Sequence, residues 1–387
     1  MSAAIQRRLR LGMVGGGDGA FIGAVHRIAA RLDDCYEVVA GALSGNAERA
    51  AASGAAIRLA PERCYTGFEE MARLEAARPD GIDAVAIVTP NYLHAAVATA
   101  FLNAGIHVIC DKPLAISTAE GEALAALARD QNRVFALTHT YSGYPMVRHA
   151  RAMVAAGEIG EVRLVQVEYA QDWLAEADKQ GGDFQRNNWH NDPARSGLTG
   201  CAGDIGTHAF HLAGFVSGLQ PSELLAELHA FTPNRVLDDH LQVMLRYPNG
   251  ARGMLWSSQM ATGCENALKL RVFGSKASLA FDQENPNELW VTPQGGCARR
   301  LTRGRVAGAA AQAATRVPCG HPEGYLEAFA QLYRDAAAQI HAVDAGLAIP
   351  VAAQSLPTVA DGVAGMKFID AVLASDGAGS RWTAVPA

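Results

Sequence analysis

Leu9-Arg10-Leu11-Gly12-Met13-Val14 runs straight into Gly15-Gly16-Gly17-Asp18-Gly19-Ala20-Phe21-Ile22-Gly23. The first six residues form an apolar run of strand length, and the residues from Phe21 to Leu32 follow a helical pattern. Glycines between a strand and a helix let the backbone approach a pyrophosphate, whose charge the helix N-terminus attracts. Gly15-x-Gly17-x-x-Ala20 satisfies the dinucleotide fingerprint in that context, with Phe21 and Ile22 opening the helix. The competing reading is a glycine-rich turn that binds nothing, and the extra length ahead of the helix keeps it open.

Outward from this stretch, residues 37–43, 82–88, 105–110 and 133–138 also read as strands, with helical patterns such as 95–104 between them. That alternation predicts an α/β domain with a parallel, doubly wound sheet. After about Tyr141 the pattern changes. A helix over 146–156 leads into period-two alternation over 162–169. Residues 241–247 and 251–259 flank Pro248-Asn249-Gly250, and 268–273 and 277–281 flank Gly274-Ser275-Lys276, which reads as two hairpins. The expected organisation is a dinucleotide-binding domain over 1–141, followed by an α+β substrate and oligomerisation domain over 142–387. The C-terminal helices, among them an amphipathic one over 323–343, are free to pack back on the first domain. Residues 175–193 read as a long polar loop of the kind that carries function, and 307–315 as a helix or a loose connection.

Composition narrows the function. Hydrophobic residues are 49% of the 387 and charged residues 19%, enough for a substantial core and poor for disorder. A net charge of −6 without a long basic run argues against nucleic acid. The apolar stretch after Arg7-Arg8-Leu9-Arg10 is too short for a secretory segment, and no run approaches membrane-spanning length. Seven scattered cysteines without a C-x-x-C pair suit a reduced, cytoplasmic protein.

Chemistry-bearing residues gather at the ends of the expected strands, the edge at which open α/β sheets bind ligands. The second strand ends at Ser44, where an acidic residue would select NAD. Arg49 lies within reach of a 2′-phosphate or is a solvated helix residue, so NAD and NADP both stay open. The third strand ends in Thr89-Pro90-Asn91, with His94 one helical turn on; Asn91 suits a ribose or carboxamide, or a helix cap, and His94 suits a structural role equally. The fourth runs into Asp111-Lys112-Pro113, and the fifth into His139-Thr140-Tyr141. In the second domain, Asp204 and His208 would lie one helical turn apart, a carboxylate beside a histidine able to accept a proton near neutral pH. A metal held by Asp204, His208 and His211 lacks further ligands, so none is expected.

These motifs together resemble the glucose–fructose oxidoreductase, inositol dehydrogenase and rhizopine-catabolism (Gfo/Idh/MocA) family. Its pattern is a glycine loop, a T-P-N-x-x-H turn, an E-K-P turn and a D-x-x-x-H helix, and this chain supplies Gly15/Gly17, Thr89 to His94, Asp111-Lys112-Pro113 and Asp204 to His208 in that order. Val272-Phe273-Gly274-Ser275-Lys276 is similar to a turn in the family's C-terminal sheet. The resemblance implies a Rossmann domain, a C-terminal domain with a large open, mostly antiparallel sheet, and assembly as a dimer or tetramer. It also implies hydride transfer between NAD or NADP and a secondary alcohol of a sugar or cyclitol. Lys112 would then bond the reacting oxygen, His208 take its proton, and Asp204 orient substrate and support the histidine.

Three departures stand out: Asp111 replaces the usual Glu, the loop between Gly17 and His26 is longer than usual, and His211 stands where many members carry a second Asp. Tyr141 and Trp189, with Asp192, Arg195 and the segment His321-Pro322-Glu323-Gly324-Tyr325, are further candidates for lining the pocket. Two other functions fit the same motifs. One is an isomerase or glycoside-cleaving enzyme that retains its cofactor and oxidises transiently; the other is a dinucleotide-sensing regulator with Lys112 and His208 idle.

Overall fold

β1 (Leu9–Gly15) is almost entirely buried, because strands run parallel to it on both sides: β2 (Tyr36–Ala42) on one and β3 (Ala84–Val88) on the other. This is a computed structural model, and it describes residues 7–175, 191–233, 235–306 and 308–386. It separates into two compact units, the first built from residues up to Ala115, Ala119–Thr140 and Leu326–Gly362, the second from Ile116–Thr118, Tyr141–Tyr325 and Val363–Ala387.

In the first unit the parallel sheet has the order β2-β1-β3-β4-β5, with β4 at His107–Cys110 and β5 at Phe135–Leu137. Every residue of β3, β4 and β5 is buried, which explains why all but His107 at the start of β4 are apolar. Helices α1 (Phe21–Leu32), α2 (Ala47–Ala56), α3 (Phe68–Ala77), α4 (His94–Asn103) and α5 (Thr118–Asp130) are interleaved with the strands. The direction of winding reverses between β1 and β3, and such a reversal opens a crevice at the strands' C-terminal ends. The outer edge of β2 is partly covered where Tyr65 N–H donates to Gly41 O at 2.8 Å.

The second unit carries a nine-stranded sheet ordered β13-β12-β11-β10-β6-β9-β8-β7-β14. Its strands are β6 (Val162–Ala170), β7 (Glu223–His229), β8 (His240–Arg246), β9 (Arg252–Ser258), β10 (Ala267–Gly274), β11 (Ala277–Asp282), β12 (Glu288–Pro293), β13 (Arg299–Thr302) and β14 (Thr383–Ala384). The sheet is mostly antiparallel, but β6 and β9 pair in parallel because the chain leaves β6, builds β7 and β8, and comes back beside it. Helix α7 (Thr207–Ser217) packs on β6, β9 and β10, and α6 (Pro145–Ala155) on β11, β12 and α7, so both cover one face. The ambiguous alanine-rich stretch forms a short helix, α8 (Ala309–Ala314), against α6. Leu164, Met244, Met254 and Trp290 are left exposed on the strands.

After β13 and α8 the chain goes back to the first unit. Helix α9 (Tyr325–Asp344) places Tyr333 against α1 and β2: Tyr36 Oη donates to Tyr333 O at 3.1 Å, and the Tyr333 hydroxyl meets His26 Nδ1 at 2.7 Å. Beyond it, Leu137 N–H donates to Pro357 O at 3.0 Å, so the returning chain covers the free edge of β5. Helix α10 (Val359–Gly377) carries the chain into the second unit again. Among the described residues no helix is long and apolar enough to cross a membrane, and no three His, Cys, Asp or Glu side chains gather as they would around a metal ion.

Candidate active site

The loop after β1 turns sharply: Gly15 and Gly16 have φ of 79° and 67°, conformations costly for any residue with a Cβ. A Cβ at Gly15 would lie 2.5 Å from Val88 O, and one at Gly17 would lie 2.7 Å from Leu43 O. Gly23 supplies a close approach that the Gly15/Gly17/Ala20 fingerprint did not include, since a Cβ there would lie 2.5 Å from Gly16 Cα. Arg27 Nη1 donates to Gly16 O at 2.8 Å and pins the loop to α1. The N-cap of α1 is Ala20, which offers no side-chain cap, so the first amides of a 12-residue helix meet no capping side chain. Asp18, Gly19 and Phe21 are exposed alongside. A partly exposed glycine cradle beside an uncapped helix N-terminus is what a dinucleotide pyrophosphate requires, and these residues fit it.

Two further turns reach the same sheet edge. His94 ties them together, its Nδ1 2.7 Å from Pro113 O and its Nε2 2.9 Å from Thr89 O. Burial pushes this imidazole below its ordinary range against the pull of the two carbonyls. With both ring nitrogens on backbone, His94 serves the site by holding the Thr89-Pro90-Asn91 turn against Asp111-Lys112-Pro113. Asp111 Oδ1 accepts from Lys112 N–H at 2.9 Å and from Thr138 Oγ1 at 2.8 Å, which fixes the end of β4 to the end of β5. Lys112 and Asn91 are half-buried at this edge, and the Lys112–Pro113 peptide is cis. At the end of β2, Ser44 Oγ accepts from Asn46 N–H at 3.2 Å, Asn46 caps α2 through Arg49 N–H at 3.0 Å, and Arg49 is exposed in the first turn.

The second unit holds the acid–histidine pair. Residues Ala202–Gly206 wind as a π-turn leading directly into α7, a wider turn than the α-helix expected from the sequence. Such turns recur at functional sites. Thr207 Oγ1 bonds back to Gly203 O at 2.8 Å. Asp204 Oδ2 accepts from Gln259 Nε2 at 2.8 Å. The His208 ring lies edge-on to Tyr141, with centroids 4.9 Å apart, and 6.3 Å from Tyr169. The hydroxyls of Tyr141 and Tyr169 are hydrogen-bonded to each other, and Tyr169 Oη donates to Asn266 Oδ1 at 2.7 Å. Burial, then Tyr141, then the charge of Asp204 hold the Tyr169 hydroxyl well above its ordinary range. Asp204, His208 and Tyr141 therefore converge on Tyr169, with Asn266 and Gln259 as partners that the sequence did not single out.

Other candidates fall to structural roles or outside view. Asp192 caps a single turn at Pro193–Ser196 through Ala194 N–H at 3.0 Å. Glu323 is buried with Arg303 at 2.8 Å, whereas the Tyr325 ring reaches within 6.5 Å of Tyr141. Trp189 lies outside the described residues.

Comparison with known proteins follows this division. A family model described as the oxidoreductase family, NAD-binding Rossmann fold, matches residues 9–139, and the GFO/IDH/MocA C-terminal domain model matches residues 147–280. A solved oxidoreductase from Sinorhizobium meliloti is 49% identical with a TM-score of 0.88, over 97% of this chain and 99% of that one. An inositol dehydrogenase homolog from Azotobacter vinelandii, solved with NADH and myo-inositol, is 34% identical with a TM-score of 0.88 over 98% of each chain. Levoglucosan dehydrogenase of Pseudarthrobacter phenanthrenivorans is 30% identical over 74% of this chain and 76% of its own length.

Proposed function

Because this chain belongs to the GFO/IDH/MocA oxidoreductase family, we propose that it transfers a hydride between a nicotinamide coenzyme and a secondary alcohol of a sugar, sugar derivative or cyclitol. The observation that carries this reading is the near full-length similarity to a protein solved with NADH and myo-inositol. The coenzyme, when bound, accepts or returns the hydride at its nicotinamide ring. Gly15, Gly17, Ala20, Phe21 and Ile22 hold its pyrophosphate, and Thr89, Pro90, Asn91 and Asp111 line its nicotinamide side. With Ser44 in place of a carboxylate after β2, the usual repulsion of a 2′-phosphate at that position is removed, so NADP competes with NAD.

In oxidation, Lys112 donates a hydrogen bond to the substrate oxygen and His208 accepts its proton as the carbinol hydrogen leaves. Asp204, steadied by Gln259, orients the substrate and stabilises the charged imidazole. Tyr141 presents its ring to His208 and bounds the substrate. All seven cysteines are free thiols, which suits the reducing cytoplasm. On the sheet of the second unit, Leu164 (51% exposed), Met254 (49%) and Trp290 (46%) share a face with a groove of about 390 Å³ lined by Gln166, Glu168, Lys269, Arg271 and Asp282. This exposed apolar surface on the sheet is covered by a second copy of the chain, as a homodimer or within a homotetramer.

The test is a panel of sugars and cyclitols offered with NAD and with NADP, following nicotinamide absorbance. Reduction of coenzyme with at least one polyol is expected, and it should be lost in His208→Ala. Tight coenzyme binding with no turnover of any polyol would sink the assignment.

A further inference from the structure

The turn that carries Asp204 and leads into His208 is gripped from a distant loop. Asp238 Oδ1 accepts from Gly200 N–H at 2.6 Å across 38 positions of sequence, and its Oδ2 accepts from Ala202 N–H at 2.7 Å. The amide between them, Cys201 N–H, donates to the Asp238 carbonyl at 2.9 Å. Three successive amides at the start of a helical segment thus depend on one residue, while the cap position itself, Cys201, provides no side-chain bond. The fit is close: a Cβ at Gly200 would lie 2.2 Å from Asp238 O.

The neighbouring residue extends the grip. Asp239 accepts from Phe231 and Thr232 N–H at 2.9 Å each, which folds the loop ahead of β8. Its carbonyl accepts from Gln259 N–H at 2.9 Å, and the Gln259 side chain is the one that holds Asp204. Asp238, Asp239 and Gln259 are all buried. The paired ends of β8 and β9 therefore hold the π-turn twice, at its backbone through Asp238 and at its carboxylate through Gln259.

We propose that Asp238 is a positioning residue for the reaction assigned above, setting the register of the π-turn and with it the aim of Asp204 and His208. Without its carboxylate, the Gly200 and Ala202 amides lose the acceptors that fix them. A displacement of about 1 Å in a reacting group is worth on the order of a hundredfold in rate.

Asp238→Asn tests this with little change in volume, since it keeps one acceptor and turns an NH2 group against a backbone N–H. A fall in kcat of about 10- to 100-fold is expected, with substrate KM and the NADH dissociation constant within about threefold of wild type. Amide hydrogen exchange should quicken over residues 200–208 and stay unchanged in β8 and β9. Wild-type kcat in Asp238→Asn would overturn the proposal. So would a loss of rate matched by equal loss of NADH binding and faster exchange throughout, which is what general destabilisation produces. If the wild-type protein turns over no polyol, the reaction assignment fails, and exchange decides Asp238 alone: unchanged protection over 200–208 overturns it.

Discussion

Lys112 and His208 answer to the same measurement from different ends of the chain. Replacing either by alanine should lower kcat by about two to four powers of ten and leave NADH affinity within about twofold, read by steady-state kinetics beside a fluorescence titration. Normal turnover in either variant would remove it from the mechanism. His26 answers to stability instead. It is buried against Tyr333, and burial, partly opposed by Asp111, lowers its pKa from 6.5 to about 4. An unfolded His26 takes up a proton below its ordinary value and the folded one does not. Stability is therefore full above pH 6.5 and falls as the pH drops towards 4, by up to about 3 kcal/mol. His26→Gln should lose less stability than wild type between pH 7 and pH 5 in urea unfolding, and equal losses would contradict this. Neither His26 nor Asp238 was legible in the sequence, because each acts on a partner distant along the chain. Lys112 and Asp204 could be singled out there, because each sits in a short local motif, Asp111-Lys112-Pro113 and the run from Asp204 to His208.

Among elements, the β1 loop and α1 meet where neither side has room for a methyl group. Gly23→Ala would set a Cβ 2.5 Å from Gly16 Cα, pushing α1 away from the glycine loop. A stability loss of about 1–3 kcal/mol and several-fold weaker NADH binding are expected, by thermal unfolding and calorimetric titration; unchanged affinity would show that the loop does not depend on this contact. The buried strands were readable for a simple reason: residues 11–14 of β1, 84–88 of β3 and 108–110 of β4 are all buried, so those runs are apolar without interruption. The α1 bounds followed from the glycine loop and the helical pattern after it. Helix α10 was harder to see, because Gly362 and Gly365 weaken its propensity, although Gly362 is needed where a Cβ would lie 2.8 Å from Leu114 Cβ. β12 ends on Pro293 and β13 opens on two arginines, which hid both strands. The parallel β6–β9 pairing could not be read locally at all, since 81 residues of sequence separate its ends.

At the scale of the whole molecule, the exposed sheet face is the feature with a measurable consequence. Leu164→Glu combined with Trp290→Glu would place buried charge in any interface built on β6 and β12. Light scattering coupled to size exclusion should show the wild type as a dimer or tetramer and this variant as a smaller species. An unchanged mass would move the interface elsewhere.

Residues Leu326–Gly362 complete the coenzyme-binding unit, yet they are the last part of it to be translated. A nascent chain emerging from the ribosome exposes the outer edge of β5 before Pro357 exists to pair with it, and buries no tyrosine beside His26 until α9 has been made. The first unit thus waits, open at one edge, until most of the second has been synthesised.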